Sequence, residues 1–577
     1  MKHLLKYLRH YKKETVLAPL FKMLEASFEL FVPLVMAQIV DVGIRQHNIG
    51  YVLHMGGILV LLGMIGLICS ITAQYFAAKS AVGFGTELRH DLFVHIQGLS
   101  YTEMDRTGTS TLITRMTSDV NQVQNGINLV LRLLLRSPFI VFGAMIMAFT
   151  IEVKATIVFI VTIPLLSLVV FGVMGISMPL YRSVQNRLDR VLQLTRENLT
   201  GIRVIRAFNK EEEEKKNFEE ANQALVKQQL FVGKISALMN PLTYVIVNAA
   251  IIVLLWTGAL QVNDGVITQG ELIALVNYMS QILVELVKLA NLIITITKAL
   301  ACANRLQTVF ETKSSMAEGE KTWDMVDSSV EFSHVSFAYA GAREDSLTDI
   351  HFRAESGETI GIIGGTGSGK SSLVNLIPRF YDAREGSITV GGRDVTEYSY
   401  EQLRDQIGIV PQKAVLFTGT IADNLRWGKK DATEEEMKKA LEAAQAMDII
   451  ESKEKGLEEH ILQGGKNLSG GQRQRLTIAR ALIKQPKILI LDDSASALDY
   501  ATDAKLRKAI RELDSNMTVF IVSQRAVSIW HADKIIVLED GEMVGMGTHE
   551  QLLNSCETYQ EIYYSQFPKD KQKGGIE

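Results

Sequence analysis

The sequence predicts a multidomain fold: a six-helix all-α transmembrane domain with long cytosolic helical extensions, fused to an α/β P-loop domain. Two observations indicate this division. Hydrophobic residues make up 47% of the 577 residues, and they gather in the first half in runs long enough to cross a bilayer. From about residue 328 the apolar residues instead alternate as in strands, and units of strand, loop and helix follow.

Six segments are candidate membrane spans, since a span needs about 20 apolar residues to cross a hydrocarbon core of about 30 Å. They cover residues 16–40, 52–78, 129–151, 155–179, 237–260 and 272–300. Arg and Lys concentrate at the N-terminus and in the long connections 79–128 and 180–236, which the positive-inside rule assigns to the cytosol. We therefore expect a multi-pass protein of the cytoplasmic membrane with both termini cytosolic and an amphipathic surface helix at its start.

The domain boundaries follow from the change in composition. We expect the transmembrane domain at residues 1–315, a linker at 316–327, the α/β domain at 328–566 and a disordered tail at 567–577. The net charge of −4 provides no basic surface for nucleic acid. Cys69, Cys302 and Cys556 lie far apart and fit neither a disulfide framework nor a zinc site.

A glycine-rich stretch, GGTGSGKSS, follows an apolar strand and opens a helix, which is the context of a P-loop. Backbone N–H groups of such a loop approach phosphates, while Lys370 reaches the β- and γ-phosphates and Ser371 can bind Mg²⁺. The expected ATP-binding residues of this loop are Gly364, Gly365, Thr366, Gly367, Ser368, Gly369, Lys370, Ser371 and Ser372.

Two further motifs belong to a nucleotide site. The buried strand KILILDD brings Asp492 to its end, where a carboxylate can enter the Mg²⁺ shell. The loop LSGGQ directly precedes a helix, and a helix N-terminus can point at a γ-phosphate. The residues concerned are Ser469, Gly470, Gly471 and Gln472.

This combination of motifs closely resembles the ABC transporter ATPase domain, and the resemblance covers essentially the whole chain. Six spans fused to one such domain look like an ABC exporter half-transporter of the type IV fold. The resemblance implies that Tyr339 stacks on adenine, that Gln412 contacts Mg²⁺ and that Asp499 lies in the D-loop. It further implies that LSGGQ faces ATP bound to the opposite subunit, and that the regions 99–120 and 196–214 couple the two domains.

Two positions depart from the pattern of family members that hydrolyse ATP well. The family's catalytic glutamate is replaced by Asp493, and a carboxylate misplaced by about 1 Å can cost about a hundredfold in rate. The family's switch histidine is replaced by Gln524, which can donate a hydrogen bond but does not titrate. We expect a degenerate site that holds ATP and hydrolyses it slowly; the alternative is a site that works through adjusted geometry.

The LSGGQ loop, which is the signature motif of the family, is intact on a chain whose own ATP site is degenerate. This combination predicts a non-identical partner, because the signature completes an ATP site on another chain. The chain resembles the degenerate-site subunit of bacterial heterodimeric multidrug ABC exporters. The resemblance implies a partner half-transporter with an intact glutamate and histidine, and ATP hydrolysis coupled to export of small amphipathic compounds. A homodimeric or heterodimeric peptide or lipid exporter and an ATP-gated regulatory subunit remain open alternatives.

Three acidic residues, Glu25, Glu29 and Glu285, lie within the predicted spans, where charged groups are costly. They either form a cavity that attracts cationic substrates, or pair internally with basic neighbours, or lie near the span ends and extend their charged groups towards water. Arg132 and Arg136, by their position in the third span, are expected to be interfacial anchors at its cytosolic end rather than substrate contacts.

Overall fold

The structure, a computed structural model, describes residues 4–319 and 327–568. The described chain forms two compact units. The first unit ends at Thr312 and leaves out the segment Gly98–Thr109, which belongs to the second unit with the chain from Lys313 onwards. The first part of the region 99–120 therefore packs with the α/β unit.

The chain up to Glu311 is helical, with short breaks. In chain order its α-helices are α1 (Lys12–Gln38), α2 (Ile49–Gln97), α3 (Tyr101–Thr107), α4 (Thr109–Thr114), α5 (Val120–Leu133), α6 (Arg136–Ile151), α7 (Val153–Thr200), α8 (Ile202–Ala207), α9 (Glu211–Ala237), α10 (Met239–Asn263) and α11 (Gln269–Glu311). A 3-10 helix, Leu4–Tyr11, precedes α1, and π-helical turns occupy Ile39–Ile44 and Arg115–Asp119.

Within the described residues, six continuous helical stretches are long and apolar enough to cross a membrane. They are Leu4–Ile44, Ile49–Gln97, Thr109–Ile151, Val153–Thr200, Glu211–Asn263 and Gln269–Glu311. Each of the six expected spans lies inside one of these stretches, so the all-α transmembrane fold is confirmed. The stretches are 41 to 53 residues long, well beyond a single bilayer crossing, as the predicted helical extensions require.

Small side chains lie where the membrane helices contact one another. Ala26 of α1, Ala144 of α6 and Ala274 of α11 are fully buried. A Cβ on Gly126 of α5 would lie 2.4 Å from the Cβ of Ala299 of α11, so only glycine permits this approach. Helices in a bilayer associate chiefly through such close packing, because the hydrophobic effect does not drive their association when the surrounding lipid tails are themselves apolar.

The second unit alternates strands and helices. Its strands are β1 (Val330–Phe337), β2 (Leu347–Ala354), β3 (Thr359–Gly364), β4 (Glu385–Val390), β5 (Arg393–Asp394), β6 (Ile407–Val410), β7 (Gly419–Thr420), β8 (His460–Ile461), β9 (Ile488–Asp492), β10 (Thr518–Val522), β11 (Lys534–Glu539) and β12 (Glu542–Gly547). Its helices are α12 (Lys370–Leu376), α13 (Tyr400–Asp405), α14 (Ile421–Arg426), α15 (Glu434–Ala443), α16 (Met447–Glu451), α17 (Gly470–Leu482), α18 (Tyr500–Leu513), α19 (Ala526–Ile529), α20 (His549–Ser555) and α21 (Glu557–Gln566), with 3-10 turns at Gly456–Glu458 and Gln463–Gly465.

The central sheet of this unit has six strands in the order β12-β11-β3-β10-β9-β6. All neighbours in it are parallel except β11 and β12. A separate antiparallel sheet has the order β2-β1-β4-β5. The mainly parallel α/β sheet confirms the predicted fold class, and the antiparallel sheet adds to it. Both faces of β3, β9 and β10 are buried, which explains their nearly unbroken apolar sequences.

Helix α3 packs within the second unit through aromatic contacts. The ring centroids of Tyr101 and Phe380 lie 4.8 Å apart, and the Tyr381 hydroxyl donates to an Asp105 carboxylate oxygen at 2.7 Å. Burial and this hydrogen bond raise the pKa of Tyr381, so the phenol remains a donor at every physiological pH. The segment that begins the first predicted coupling region is therefore held to the unit that contains the P-loop.

The linker and the tail extend only partly into the described chain. Of the linker expected at 316–327, Met316 is buried and Glu318 accepts a hydrogen bond from the Tyr400 N–H at 3.1 Å, while residues 320–326 lie outside the described residues. Of the tail expected at 567–577, Phe567 packs on Tyr563 with ring centroids 4.9 Å apart. Disorder is therefore not observed at Phe567, and residues 569–577 lie outside the described residues.

Candidate nucleotide-binding site

A cavity of about 830 Å³ lies at the edge of the central sheet where parallel strands end. Strand β3 ends at Gly364, β9 at Asp492 and β10 at Val522, and the loops that follow them form the cavity walls. Ligands of open α/β sheets bind at this edge because the loops after the strands converge there. The fold thus brings together the P-loop, the Walker B carboxylate Asp492 and the switch position Gln524, although the P-loop and Gln524 are more than 150 positions apart in sequence.

The P-loop between β3 and α12 depends on glycine at two positions. Gly369 has a left-handed backbone with φ of 91°, and a Cβ there would lie 2.6 Å from the Ser346 carbonyl oxygen. A Cβ on Gly364 would lie 2.1 Å from the Leu538 carbonyl oxygen. The loop is therefore pressed closely against neighbouring backbone on one side. Thr366, Gly367 and Ser368 line the cavity on the other side.

Lys370 is buried inside this loop. Its Nζ donates to the carbonyl oxygens of Gly364, at 2.9 Å, and Gly365, at 2.5 Å. Burial lowers the pKa of Lys370, and the nearby carboxylates of Asp493 and Asp492 oppose that effect. A cation held in a loop of backbone groups fits the β- and γ-phosphates of a nucleotide.

The residues expected to bind Mg²⁺ all line the same cavity. The Ser371 hydroxyl donates to the Asp492 carboxylate at 3.0 Å, and Gln412 also lines the cavity. Burial raises the pKa of Asp492, while the hydrogen bond from Ser371 opposes the rise. A hydroxyl, a carboxylate and an amide oxygen are hard donors of the kind that Mg²⁺ prefers, so this set fits the ion.

The two departures from the family pattern also line this cavity. Asp493 follows β9 in a left-handed conformation with φ of 46°, and its carboxylate accepts a hydrogen bond from the Gln412 amide at 3.4 Å. Gln524 follows β10 and is exposed on the cavity wall. Both residues therefore line the same cavity as the P-loop.

Tyr339 lies at the rim of the cavity, just beyond β1. Its hydroxyl is 3.0 Å from the Ser372 hydroxyl, which places the ring beside the P-loop helix. The rings of Phe337 and Tyr381 both pack edge-on against it. A half-buried ring held in this way offers an aromatic surface on which the base of a nucleotide can stack.

The signature loop does not line this cavity. Ser469 is the N-cap of α17, where its hydroxyl accepts from the Gln472 N–H at 3.2 Å while the Gln472 side chain accepts from the Ser469 N–H at 2.9 Å. Ser469 and Gly470 are exposed, whereas Gly471 is half-buried. Asp499 is similarly the N-cap of α18 and accepts from the Thr502 N–H at 2.9 Å. Among the described residues, the cavity lining includes none of these positions.

The intramembrane acids are each paired with a basic side chain. Glu25 pairs with Lys22 at 2.5 Å. Arg136 lies between two acids, with a nitrogen 2.6 Å from Glu29 and another 2.6 Å from Glu285. Arg136 is itself buried, so the expectation that it anchors at the interface is wrong. The two ion pairs explain why Arg136 is buried, because two carboxylates compensate the charge of its guanidinium.

Glu285 has further partners. The Ser137 hydroxyl donates to it at 2.7 Å, and the Lys288 ammonium lies 2.8 Å away. A cavity of about 400 Å³ borders this cluster, lined also by Asn277 and Gln281. Two acids and two bases make the cluster of Glu29, Arg136, Glu285 and Lys288 neutral in sum.

Six membrane-crossing helices joined to a domain with a P-loop, a Walker B carboxylate and a signature loop define an ATP-driven membrane transporter. The chain matches the family model of the ABC transporter transmembrane region over residues 15–286 and that of the ABC transporter over residues 347–496. It is 38% identical over 568 residues to an uncharacterised ABC transporter ATP-binding protein of Mycobacterium tuberculosis, and the match covers 97% of each chain. This chain belongs to the ABC transporter family.

Other relatives carry more specific names. The chain is 32% identical over 575 residues to a Bacillus subtilis protein provisionally named a multidrug export ATP-binding/permease protein, covering 98% of each. It is 33% identical over 482 residues to an ATP-dependent lipid A-core flippase of Desulfotalea psychrophila, covering 83% of this chain and 84% of the relative.

A solved structure shares the overall fold. It is a bacterial Atm1-family ABC exporter with ATP bound, with a TM-score of 0.78 and 23% sequence identity, and the match covers 96% of this chain and 98% of the other. The chain therefore has the fold of an ABC exporter half-transporter. Its ATP-binding domain is that of an enzyme that couples ATP hydrolysis to transport.

Proposed function

We propose that this chain is one half of a heterodimeric ABC exporter, and that ATP bound at its own P-loop is hydrolysed slowly. The proposal rests on a difference between the two half-sites of this chain: its signature loop is complete, whereas its P-loop cavity is not. The signature loop Leu468–Gln472 is intact, and its residues Ser469 and Gly470 are exposed at the start of α17. The cavity around Lys370 instead carries Asp493 and Gln524 where the family pattern has glutamate and histidine.

The position of the signature loop supports a role on another chain. The loop opens a helix of 13 residues, and the backbone N–H groups at such an end attract anions. The loop lies outside the cavity of its own chain, which leaves it available to a nucleotide held elsewhere. We propose that it completes the site of a partner half-transporter that carries the glutamate and the histidine.

The chemistry of the cavity supports binding better than turnover. A general base must come within hydrogen-bond reach of the water that it activates. The Asp493 carboxylate, one methylene shorter than that of glutamate, already accepts a hydrogen bond from Gln412. Lys370 and the P-loop N–H groups would hold the phosphates, and Ser371, Gln412 and Asp492 would hold Mg²⁺, whose charge would neutralise those phosphates. The binding groups are therefore complete, and the proton-handling groups are not.

Replacing Asp493 with asparagine is expected to change the steady-state ATPase activity of the assembled pair by less than about twofold, because turnover occurs at the partner's site. The measurement is ATP hydrolysis by the co-purified pair in detergent. The same substitution of the partner's glutamate is the matched control, and it should remove the roughly 10²–10⁴-fold that a general base contributes. A comparable loss with Asp493→Asn would show that Asp493 is a working base.

An exposed apolar surface supports assembly with a second chain. Helix α8 has no buried residue, and Leu199 and Phe208 beside it are each 72% exposed. These residues belong to the second proposed coupling region, 196–214, and exposed apolar patches mark interaction sites. We propose that this region contacts the partner's ATP-binding domain, and that residues 99–120 perform the corresponding role in the first coupling region.

The proposed orientation places both termini and both coupling regions in the cytosol. The unit that contains the P-loop must meet cytosolic ATP, and helix α3 of the first coupling region packs within that unit. The basic residues in the long connections agree with this arrangement. The chain is accordingly proposed to be a multi-pass protein of the cytoplasmic membrane.

The proposed cargo is a small amphipathic compound. The cavity beside Glu285 combines apolar walls from Pro33 and Met36 with the amides of Asn277 and Gln281, a mixture suited to amphipathic molecules. Its acids are compensated by Arg136 and Lys288, so the cavity offers little net charge to a cation. The name of the Bacillus subtilis relative agrees with a multidrug exporter.

Lipid export is the second candidate, because a relative at 33% identity is named a lipid A-core flippase. Inside-out vesicles that contain the pair distinguish the two. The proposal predicts ATP-dependent accumulation of an amphipathic dye that is lost in the Ser469→Arg variant. ATP-dependent flipping of a fluorescent phospholipid without dye accumulation would favour the lipid exporter instead.

A further inference from the structure

Three metal-binding side chains meet on the exposed face of the antiparallel sheet. Asp349 and His351 are two positions apart on β2, and both are exposed while Ile350 between them is buried. His334 belongs to the neighbouring strand β1, where the register between the two strands shifts between Phe332 and Val335. All three residues are exposed, and none of them lines the nucleotide cavity.

The distances suit a shared ion. The Nδ1 of His334 lies 2.6 Å from an Asp349 carboxylate oxygen, and the two imidazole centroids lie 5.4 Å apart. One ligand atom from each residue lies within 4.8 Å of the other two. Donors around a tetrahedral Zn²⁺ with Zn–N bonds of about 2.0–2.1 Å stand roughly 3.3 Å apart. Rotation of the three exposed side chains would bring their donor atoms from the observed separations to this one.

The backbone beneath the cluster is well anchored. Val335 and Ile350 are fully buried, and the rings of Phe332 and Phe352 stack with centroids 4.7 Å apart. These contacts fix the two strands on which the three donors stand. Because the backbone is already fixed, binding an ion has to order only the three side chains. The entropic cost of binding is therefore low.

We propose that His334, Asp349 and His351 form a surface site for a divalent transition-metal ion such as Zn²⁺, Cu²⁺ or Ni²⁺, with water at the remaining positions. Imidazole ligands select these ions, whereas Mg²⁺ prefers oxygen donors. The site is thus chemically distinct from the Mg²⁺ position proposed beside Asp492. It does not depend on whether the nucleotide site is degenerate.

The test measures Zn²⁺ binding to the full-length chain in detergent, stripped of metal and supplied with excess Mg²⁺ to occupy oxygen-donor sites. We expect one high-affinity Zn²⁺ per chain, and a higher melting temperature in its presence because a ligand of the folded state stabilises it. The double variant His334→Asn/His351→Asn should weaken binding at least ~100-fold, since losing even an outer-shell partner costs about 10–100-fold. Asparagine suits position 334, where φ is 51°, because it tolerates left-handed backbone.

His460→Asn is the matched control, because His460 is an exposed histidine of the same unit outside the cluster. It should leave both the Zn²⁺ affinity and the metal-dependent melting shift unchanged. Bound Cu²⁺ should show nitrogen hyperfine coupling from two imidazoles, and this signal should disappear in the double variant. Unchanged Zn²⁺ binding in the double variant, or no Zn²⁺ binding to the unaltered chain in the presence of the excess Mg²⁺, would overturn the proposal.

Discussion

Replacing Ser469 with arginine is expected to remove most of the ATPase activity of the assembled transporter, a loss of about a hundredfold or more. The exposed start of α17 is proposed to contact the γ-phosphate of ATP held by the partner, and a long side chain there would block that approach. Removing one preorganised donor to a developing charge already costs about 10²–10³-fold. The measurement is steady-state ATP hydrolysis by the co-purified pair.

The control for Ser469→Arg separates this effect from the loss of a helix cap. Thr548 caps α20 with the same reciprocal pattern, accepting from the Gln551 N–H while the Gln551 side chain accepts from the Thr548 N–H. Thr548→Arg removes a comparable cap, typically about 1 kcal/mol, on an exposed helix of the same unit. Equal loss of activity in both variants would show that the signature loop acts only through stability.

Replacing Arg136 with methionine is expected to lower the free energy of unfolding by about 3–5 kcal/mol, because it removes the buried guanidinium from the Glu285 carboxylate and leaves only the partly exposed Lys288 as its basic partner. Arg136 and Glu285 have side chains only 8% and 3% exposed, and their pairing connects α6 with α11. The same guanidinium also binds Glu29 of α1. Thermal and denaturant unfolding of the purified chain in detergent measures the change.

Two further variants test this account of Arg136. Lys288 also pairs with Glu285 but is 42% exposed, so Lys288→Met should cost much less than Arg136→Met. Adding Glu285→Gln to Arg136→Met should recover part of the stability, because the orphaned charge is removed. Equal costs for the two single variants, without recovery in the double variant, would contradict a buried ion pair at Arg136.

The features that the sequence predicted best are those encoded by residues close to one another in the chain. The six spans follow from apolar runs that have no other stable location than a bilayer, and each lies within an observed helix. The P-loop is recognisable because Gly364, Gly369, Lys370 and Ser371 are close in sequence. The strand before Asp492 is likewise visible as an unbroken apolar run, since it is buried on both faces.

The features that the sequence did not predict depend on contacts between distant residues. Arg136 and Glu285 are 149 positions apart, and only the helix packing shows that they pair. Asp105 and Tyr381, 276 positions apart, similarly assign helix α3 to the ATP-binding unit. Asp540 lines the nucleotide cavity because β11 lies beside β3, an order that no local pattern specifies.

The central claim is that this chain retains ATP at its own P-loop and completes a working site on a different chain. The most direct test measures ATP hydrolysis and bound nucleotide for the chain alone and for the pair with its partner half-transporter. The account predicts a nearly inactive chain on its own, and a pair that hydrolyses ATP while retaining a single unhydrolysed ATP per dimer. A chain that alone forms a dimer with robust turnover would contradict it, because Asp493 and Gln524 would then be working catalytic residues.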